Sequence, residues 1–347
     1  MPNEYIYLGS FLLFIVLMLS IDLGVFNKKD HVVGFKEAAT MSFIWISFAI
    51  GFYFILLTEG QQLHGIINYA DLVEITQKHL HNIRLNPDNF QESLGIYRQN
   101  LALEFLTGYV IEYALSVDNI FVIVLIFSAF NVDEKYYHRI LVWGIIGAII
   151  MRFLFIFVGA TLITKFGWII YVFGAFLVYT GVIMFFNRDN EENIDPENHK
   201  IVRIASKYFS IYPHFSGNQF FVKVDGKRFI TPLFVVLLIV EFTDLIFAVD
   251  SIPAIFAVTK DPYIVFFSNI FAILGLRSMF FLLVNIIHKF HYLKTGLALL
   301  LVFIGLKMLG HTWLTGWGFT TMHSLFVILG ILTISVVASL VFPKKNK

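Results

Sequence analysis

Apolar runs near 5–26, 39–57, 101–130, 139–163, 166–186, 230–259, 262–287, 293–309 and 321–342 dominate this chain of 347 residues. As helices rising 1.5 Å per residue, such runs cross or nearly cross a hydrocarbon layer about 30 Å thick. Inside that layer no water pairs with the backbone, so each segment must satisfy its own N–H and C=O groups. The predicted fold is therefore all-α: a polytopic transmembrane helix bundle of about nine spans. Composition agrees. Hydrophobic residues make up 58% and charged residues 14%, where soluble domains carry about 45–50% and about 25%. These values exclude an ordinary soluble enzyme and a disordered chain. The first run follows Glu4 without a basic leader or a small-residue cleavage site. It is expected to remain as a span.

Two polar stretches interrupt the runs, 58–100 and 187–229. The expected organisation is a single transmembrane domain with two N-terminal spans in 1–57 and an extracytoplasmic loop in 58–100. A first triplet of spans follows in 101–186, then a cytoplasmic loop in 187–229, a second triplet in 230–310 and a last span in 321–342. Orientation rests on the 25 Lys and Arg: 17 fall on one side of this plan, 5 on the other, and Arg152, Arg277 and Lys307 inside spans. Cationic loops stay in the cytoplasm, so the C-terminus is expected there and the N-terminus outside. Net charge is +1 and Cys is absent. Nucleic acid is not an expected partner. Disulfides, thiolate metal sites and thiol redox chemistry are excluded for this chain.

The two triplets resemble each other. Glu112-Tyr-Ala-Leu-Ser-Val-Asp118-Asn119 aligns with Asp244-Leu-Ile-Phe-Ala-Val-Asp250-Ser251. Arg152 and Arg277 each lie in the next span. Gly174-Ala-Phe-Leu-Val-Tyr-Thr-Gly181 then aligns with Ala298-Leu-Leu-Leu-Val-Phe-Ile-Gly305. An odd number of spans followed by a connection inserts the second copy upside down. The expected plan is a three-plus-three inverted repeat, which places a site near the midplane.

Six carboxylates are counted inside spans: Asp22, Glu112, Asp118, Glu241, Asp244 and Asp250. Each costs about 2.5–3.5 kcal/mol at a helix centre even on the mildest scale. They are expected to face the interior, paired with charge-balancing Arg152 and Arg277, protonated, or bound to cations. Lys307 is either a third counterion or a side chain that snorkels to an interface. Members of each acid pair stand six residues apart, which is 240° around a straight helix. If both members line one site, the helices must be broken there. Pro253 removes a helical hydrogen bond, and Asn119 and Ser251 can cap a restarted half-helix. Carboxylate and amide oxygens suit Mg²⁺, Ca²⁺ or Mn²⁺.

Leu115-Ser-Val-Asp-Asn-Ile-Phe121 and the run Asp244–Thr259 resemble the two signatures of the TerC family, and its Alx-type members in particular. Thr58-Glu59-Gly60, Phe105-Leu-Thr-Gly-Tyr109, Ser268-Asn269, Ile273-Leu-Gly-Leu-Arg277 and Phe303-Ile-Gly-Leu-Lys307 extend the likeness from about residue 8 to about 340. The resemblance implies a multi-pass protein of the bacterial inner membrane, linked to tellurium resistance by name and to Mn²⁺ efflux by function. It also implies a place among the LysE-type exporters. Carried over by position, Glu112, Asp118, Asp244 and Asp250 are expected as metal ligands. Asp22, Asn119, Glu241 and Ser251 are expected as supporting or proton-carrying groups.

One departure from the family pattern is an insert of roughly thirty residues, about 66–100. Alternation around Tyr69–Leu85 suggests a short amphipathic surface helix. The insert reads as a solvated loop; the alternative is that His64, His79 and His81 collect or release metal there. The 187–229 stretch reads as a solvated connector. No role is assigned to His288, His291, His311 or His323.

The expected function is Mn²⁺ export through an intramembrane carboxylate site, with H⁺ antiport as the coupling. Mn²⁺ is expected as transported ion rather than cofactor, the bilayer and a divalent cation are the expected partners, and no protein partner is indicated. Two alternatives stand: a membrane partner that helps metalate or assemble exported proteins, and a tellurium-oxyanion resistance factor. Acidic residues argue against the last, since an oxyanion needs cationic side chains or helix N-termini. No nucleophile–base pair, nucleotide loop or cofactor fingerprint points to an enzyme.

Overall fold

A computed structural model describes residues 3–22, 33–186, 200–214, 216–224, 226–284, 292–310, 313–314 and 317–342. In order these form α1 (Asn3–Asp22), α2 (Phe35–Glu59), α3 (Tyr69–Lys78), α4 (Phe90–Ala129), α5 (Glu134–Lys165), α6 (Ile169–Phe186) and α7 (Lys200–Tyr208). There follow β1 (Phe221–Val224), β2 (Lys227–Ile230), α8 (Pro232–Phe256), α9 (Pro262–Leu283), α10 (Leu293–Leu309) and α11 (Thr321–Val341). Every apolar run is a helix. Seven of these helices, α2, α4, α5, α6, α8, α9 and α11, are long and apolar enough to cross a membrane. The chain is a polytopic helical membrane protein. Its outer surface carries Phe43, Phe54, Phe326 and Ile334 exposed, a surface that lipid rather than water would cover.

At the centre lies α9, with 18 of its 22 residues buried. It packs against α2, α4 and α5, and α4 and α5 also pack on α8. The closest helix pair is α6 with α10. Gly174 lies against Gly305, and Gly181 against Ala298, so the two helices run antiparallel. A Cβ on Gly305 would stand 2.6 Å from the Gly174 carbonyl oxygen and 2.8 Å from the Val178 nitrogen. Only backbone can occupy that space. Gly305→Ala is expected to force the helices apart at a cost of about 1–3 kcal/mol, lowering the unfolding temperature in detergent. Gly51→Ala is the control, because a Cβ there has nothing within 4 Å.

Both polar stretches are more structured than loops. In 58–100 a 3-10 turn spans Gly60–His64 and ends at Gly65, whose φ of +68° closes it. Helix α3 starts on a capping box: the Asn68 side chain accepts from Asp71 N (3.0 Å), and Asp71 Oδ2 accepts from Asn68 N (3.3 Å). The last eleven residues of the expected loop belong instead to α4, whose N-cap Asn89 accepts from Glu92 N at 3.1 Å. The 40-residue α4 is about 60 Å long, twice a hydrocarbon core. Within 187–229, α7 precedes a hairpin that pairs Phe221 with Ile230 and Val224 with Lys227. Phe220 and Ile230 are buried against the start of α8. This hairpin is the departure from all-α among the described residues. Residues 187–199, His288, His291, His311 and the Asp22 side chain lie outside the described residues.

Broken helices are not found at the acid pairs. Both α4 and α8 run through them without interruption. Asn119 and Ser251 sit inside helices and cap nothing. Pro253 is close enough to the end of α8 that the helix continues past it, with Ala257 N bonded to the Pro253 carbonyl at 3.1 Å. The 240° spacing is met by letting the acids point in different directions.

Candidate ion site

Arg152 of α5 is buried among four helices. Its Nη1 bonds Glu112 Oε1 of α4 and, at 2.6 Å, Asn269 Oδ1 of α9. Its Nη2 reaches Asp244 Oδ1 of α8 at 3.5 Å. The Asn269 amide is aimed by its own Nδ2, which donates to the Val265 carbonyl at 2.8 Å. Two carboxylates therefore share one guanidinium. Glu112 Oε2, Asp244 Oδ2 and Ser251 Oγ are buried without a hydrogen-bond partner, and Ser251 stands beside Glu112. Unsatisfied acceptors are costly in a low-dielectric interior. Here they cluster at a node of two carboxylates and one guanidinium.

The other expected site residues surround this node without joining it. Glu241, one turn before Asp244, presses its carboxylate against Gly147 of α5; a Cβ at Gly147 would overlap it. Asp250 accepts from Thr180 Oγ1 of α6 at 3.4 Å. Asn119 is buried and Asp118 half-buried, with Asp118 about 9 Å along α4 from Glu112. Arg277 hydrogen-bonds His138 Nδ1 at 2.8 Å. Lys307 comes near Glu104 and Lys260 instead of the central acids. Glu112 and Asp244 are thus brought together, while Asp118 and Asp250 project from other faces of unbroken helices.

A second polar cluster lies one helical tier away. Glu104 and Asp261 each precede the central node by eight residues, on α4 and before α9, or about 12 Å. Glu104, in the 101–130 run, is a seventh acid within the spans, omitted from the six counted in the sequence. It accepts from Thr259 Oγ1 (2.6 Å), Asn100 Nδ2 (2.7 Å) and the His81 ring (3.1 Å). Asp261 caps α9 by accepting from Tyr263 N at 2.9 Å, and its other oxygen meets His64 Nε2 at 2.8 Å. His64, His79 and Asp261 bring ligand atoms within 4.8 Å of one another, the one such group of three His, Asp or Glu residues found among the described residues.

Charges here are held by their surroundings. Burial pushes the His79 imidazole down to about 4. Burial also opposes ionisation of Asp261, yet the imidazoles of His64, His79 and His81 outweigh it and hold its carboxyl below the usual range. Lys260 is pushed down to about 7 by burial, with Lys307 acting in the same sense.

The sequence profile of the integral membrane protein TerC family matches residues 97–347. Similar proteins include an uncharacterized membrane protein of Myxococcus xanthus, 44% identical over 96% of this chain and 91% of that one. A putative membrane-bound redox modulator Alx from Salmonella typhi is 41% identical over 95% of this chain and 92% of its own. Its namesake in Escherichia coli K12 is 41% identical over 87% and 84%. No solved structure matches.

Proposed function

We propose, from the premise that this chain belongs to the TerC family of integral membrane proteins, that it is a secondary transporter exporting Mn²⁺ from the cytoplasm. The observation that carries this reading is the Arg152 node. Glu112 and Asp244 come from different triplets, meet inside the bundle, and each keep a buried oxygen with no donor. An ionisable cluster at membrane depth is a functional feature by default. Its oxygen ligands favour a hard divalent cation.

Arg152 supplies the positive charge in the conformation described. Loading would transfer the two carboxylates from the guanidinium to the metal, with Asp118, Glu241 and Asp250 as further acids on the route. Proton return through these acids is the coupling we propose, because ionisable side chains at membrane depth mark ion and proton paths. The inverted repeat is supported by the α6–α10 crossing. There Gly174 meets Gly305 while their repeat counterparts, Ala298 and Gly181, meet each other. That reciprocity is what a two-fold between triplets requires. The Lys and Arg distribution favours a cytoplasmic C-terminus and an outer α3 end, and the inner membrane is the location that the family resemblance implies.

Some relatives are named redox modulators. With no cysteine in this chain, a redox effect would have to pass through metal supply instead of thiol exchange. The membrane-partner reading draws support from the folded 58–100 stretch, whereas the acidic node argues against a tellurium oxyanion.

Reconstituted into proteoliposomes, the purified chain is expected to move Mn²⁺ down its gradient, faster when an opposing proton gradient is imposed. Flux indifferent to the proton gradient would remove antiport and leave export. Silence toward Mn²⁺, Ca²⁺ and Mg²⁺ alike would end the transport reading.

A further inference from the structure

We infer that His64, His79 and Asp261 form a second metal site, selective for a Zn²⁺-like first-row divalent cation, which fastens the 58–100 segment to the turn between α8 and α9. It lies about 12 Å along the helices from the Arg152 node and shares no residue with it. Its existence does not depend on the transport reading.

Three features carry the assignment. The first is ligand type and reach. Two imidazoles and one carboxylate place their donor atoms within 4.8 Å of one another, with His64 Nε2 2.8 Å from Asp261 Oδ2 and the His64 and His79 ring centroids 4.9 Å apart. Imidazole nitrogen with one carboxylate suits Zn²⁺ and its neighbours, unlike the all-oxygen set of the central acids. The second is an orphan. His79 is 5% exposed, and its Nε2 is buried with no hydrogen-bond partner. A buried imidazole nitrogen left unpaired costs stability unless something is meant to occupy it. A metal supplies the missing partner.

The third is support from around the site. The remaining oxygen of Asp261 is fixed by Tyr263 N at 2.9 Å, and Thr259 Oγ1 accepts from Asp261 N at 3.2 Å while donating to Glu104. Such anchoring of a ligating carboxylate is what metal sites ordinarily carry. Lys260, the nearest cation in sequence, is turned back onto the Phe256 carbonyl. A groove of about 580 Å³ reaches His81, whose ring centroid is 6.0 Å from that of His79. Three protein ligands leave a fourth position for water, the mark of an exchangeable rather than a sealed site.

The site also accounts for the backbone beside it. Leu80 has φ +52°, a left-handed geometry that costs an L-residue about 1–2 kcal/mol. It reverses the chain after α3 so that His79 and His81 both turn inward. His64 and His79 come from the segment and Asp261 from the turn that ends α8. A bound cation would therefore tie the cap to the helix carrying Asp244 and Asp250.

The test uses the full chain, stripped of metal and held in nanodiscs, titrated with Zn²⁺ in competition with a chromophoric chelator. His79→Phe, which keeps the volume but not the ligand, is expected to bind one Zn²⁺ per chain fewer than wild type. Asp261→Asn keeps the α9 cap and removes the charge. It is expected to weaken that Zn²⁺ more than about tenfold. Glu112→Gln is expected to retain it. Wild type loaded with Co²⁺ should show the visible band of a four-coordinate site, absent from His79→Phe. Equal Zn²⁺ stoichiometry and affinity in wild type and both site variants would overturn the proposal, as would loss of that Zn²⁺ in Glu112→Gln alone.

Discussion

Arg152→Met is expected to be the most damaging single substitution in the bundle. Methionine fills much of the space but leaves Glu112 and Asp244 buried without their shared guanidinium. Removing one partner of a buried ion pair costs about 3–5 kcal/mol, which should lower the apparent unfolding temperature in detergent by the order of 10 °C. Arg152→Lys should fare little better, since an ammonium cannot span Glu112, Asn269 and Asp244 with a planar fork. The informative partner is the double variant Arg152→Met with Glu112→Gln, which removes charge from both sides. It should recover a large part of the lost stability. A double variant no more stable than Arg152→Met would mean that the guanidinium acts by packing and not by neutralising these acids. Thermal unfolding of wild type, Arg152→Met, Glu112→Gln and the double variant in one detergent provides the cycle.

Asp244→Asn should have the opposite profile: little loss of stability and a large loss of transport. Arg152 keeps its bonds to Glu112 and Asn269, so the fold retains a paired cation. The node loses its excess negative charge and one anionic ligand. Mn²⁺ flux in proteoliposomes is expected to fall by about 100-fold, with the unfolding temperature within a few degrees of wild type. Asp250→Asn serves as comparison. Its carboxylate touches Thr180 instead of Arg152, so equal losses in both variants would place Asp250 on the ion's route. Undiminished flux in Asp244→Asn would remove the Arg152 node from the transport reading altogether.

How much of this was legible follows from what a sequence can express. Long apolar runs announce helices because the bilayer leaves the backbone no other way to pair, and each of the nine runs is helical. Glu112 and Asp244 stood out for the same reason: an acid in such a run is expensive enough to need an explanation. The six-residue spacing was less informative than it looked. A 240° separation can be resolved by breaking a helix or by sending two acids to different neighbours. Sequence does not distinguish these, and α4 and α8 take the second course. Asn269 was visible as part of a family match, with nothing to tie it to an arginine 117 residues away. Glu104 was visible as an acid in the third run and was overlooked. Asp261 falls between two runs, just before Pro262, and nothing local singles it out; what gives it weight is His64, 197 residues distant. The histidines of the 58–100 stretch looked like loop residues because polarity there suggested solvent. Capping at Asn68 and the reversal at Leu80 bury two of them.

The α6–α10 crossing has a mechanical consequence. Helices that meet through side chains interlock ridge into groove, and turning one against the other means lifting those ridges past each other. Where Gly174 and Gly181 face Gly305 and Ala298, main chain lies against main chain, with Val178 beside Gly305 and Val302 beside Gly181. Such a seam holds two halves close through dispersion at short range. Fewer ridges stand in the way of a rotation there than at a crossing of large side chains, so the two valines are the teeth that any turning of one half against the other must clear.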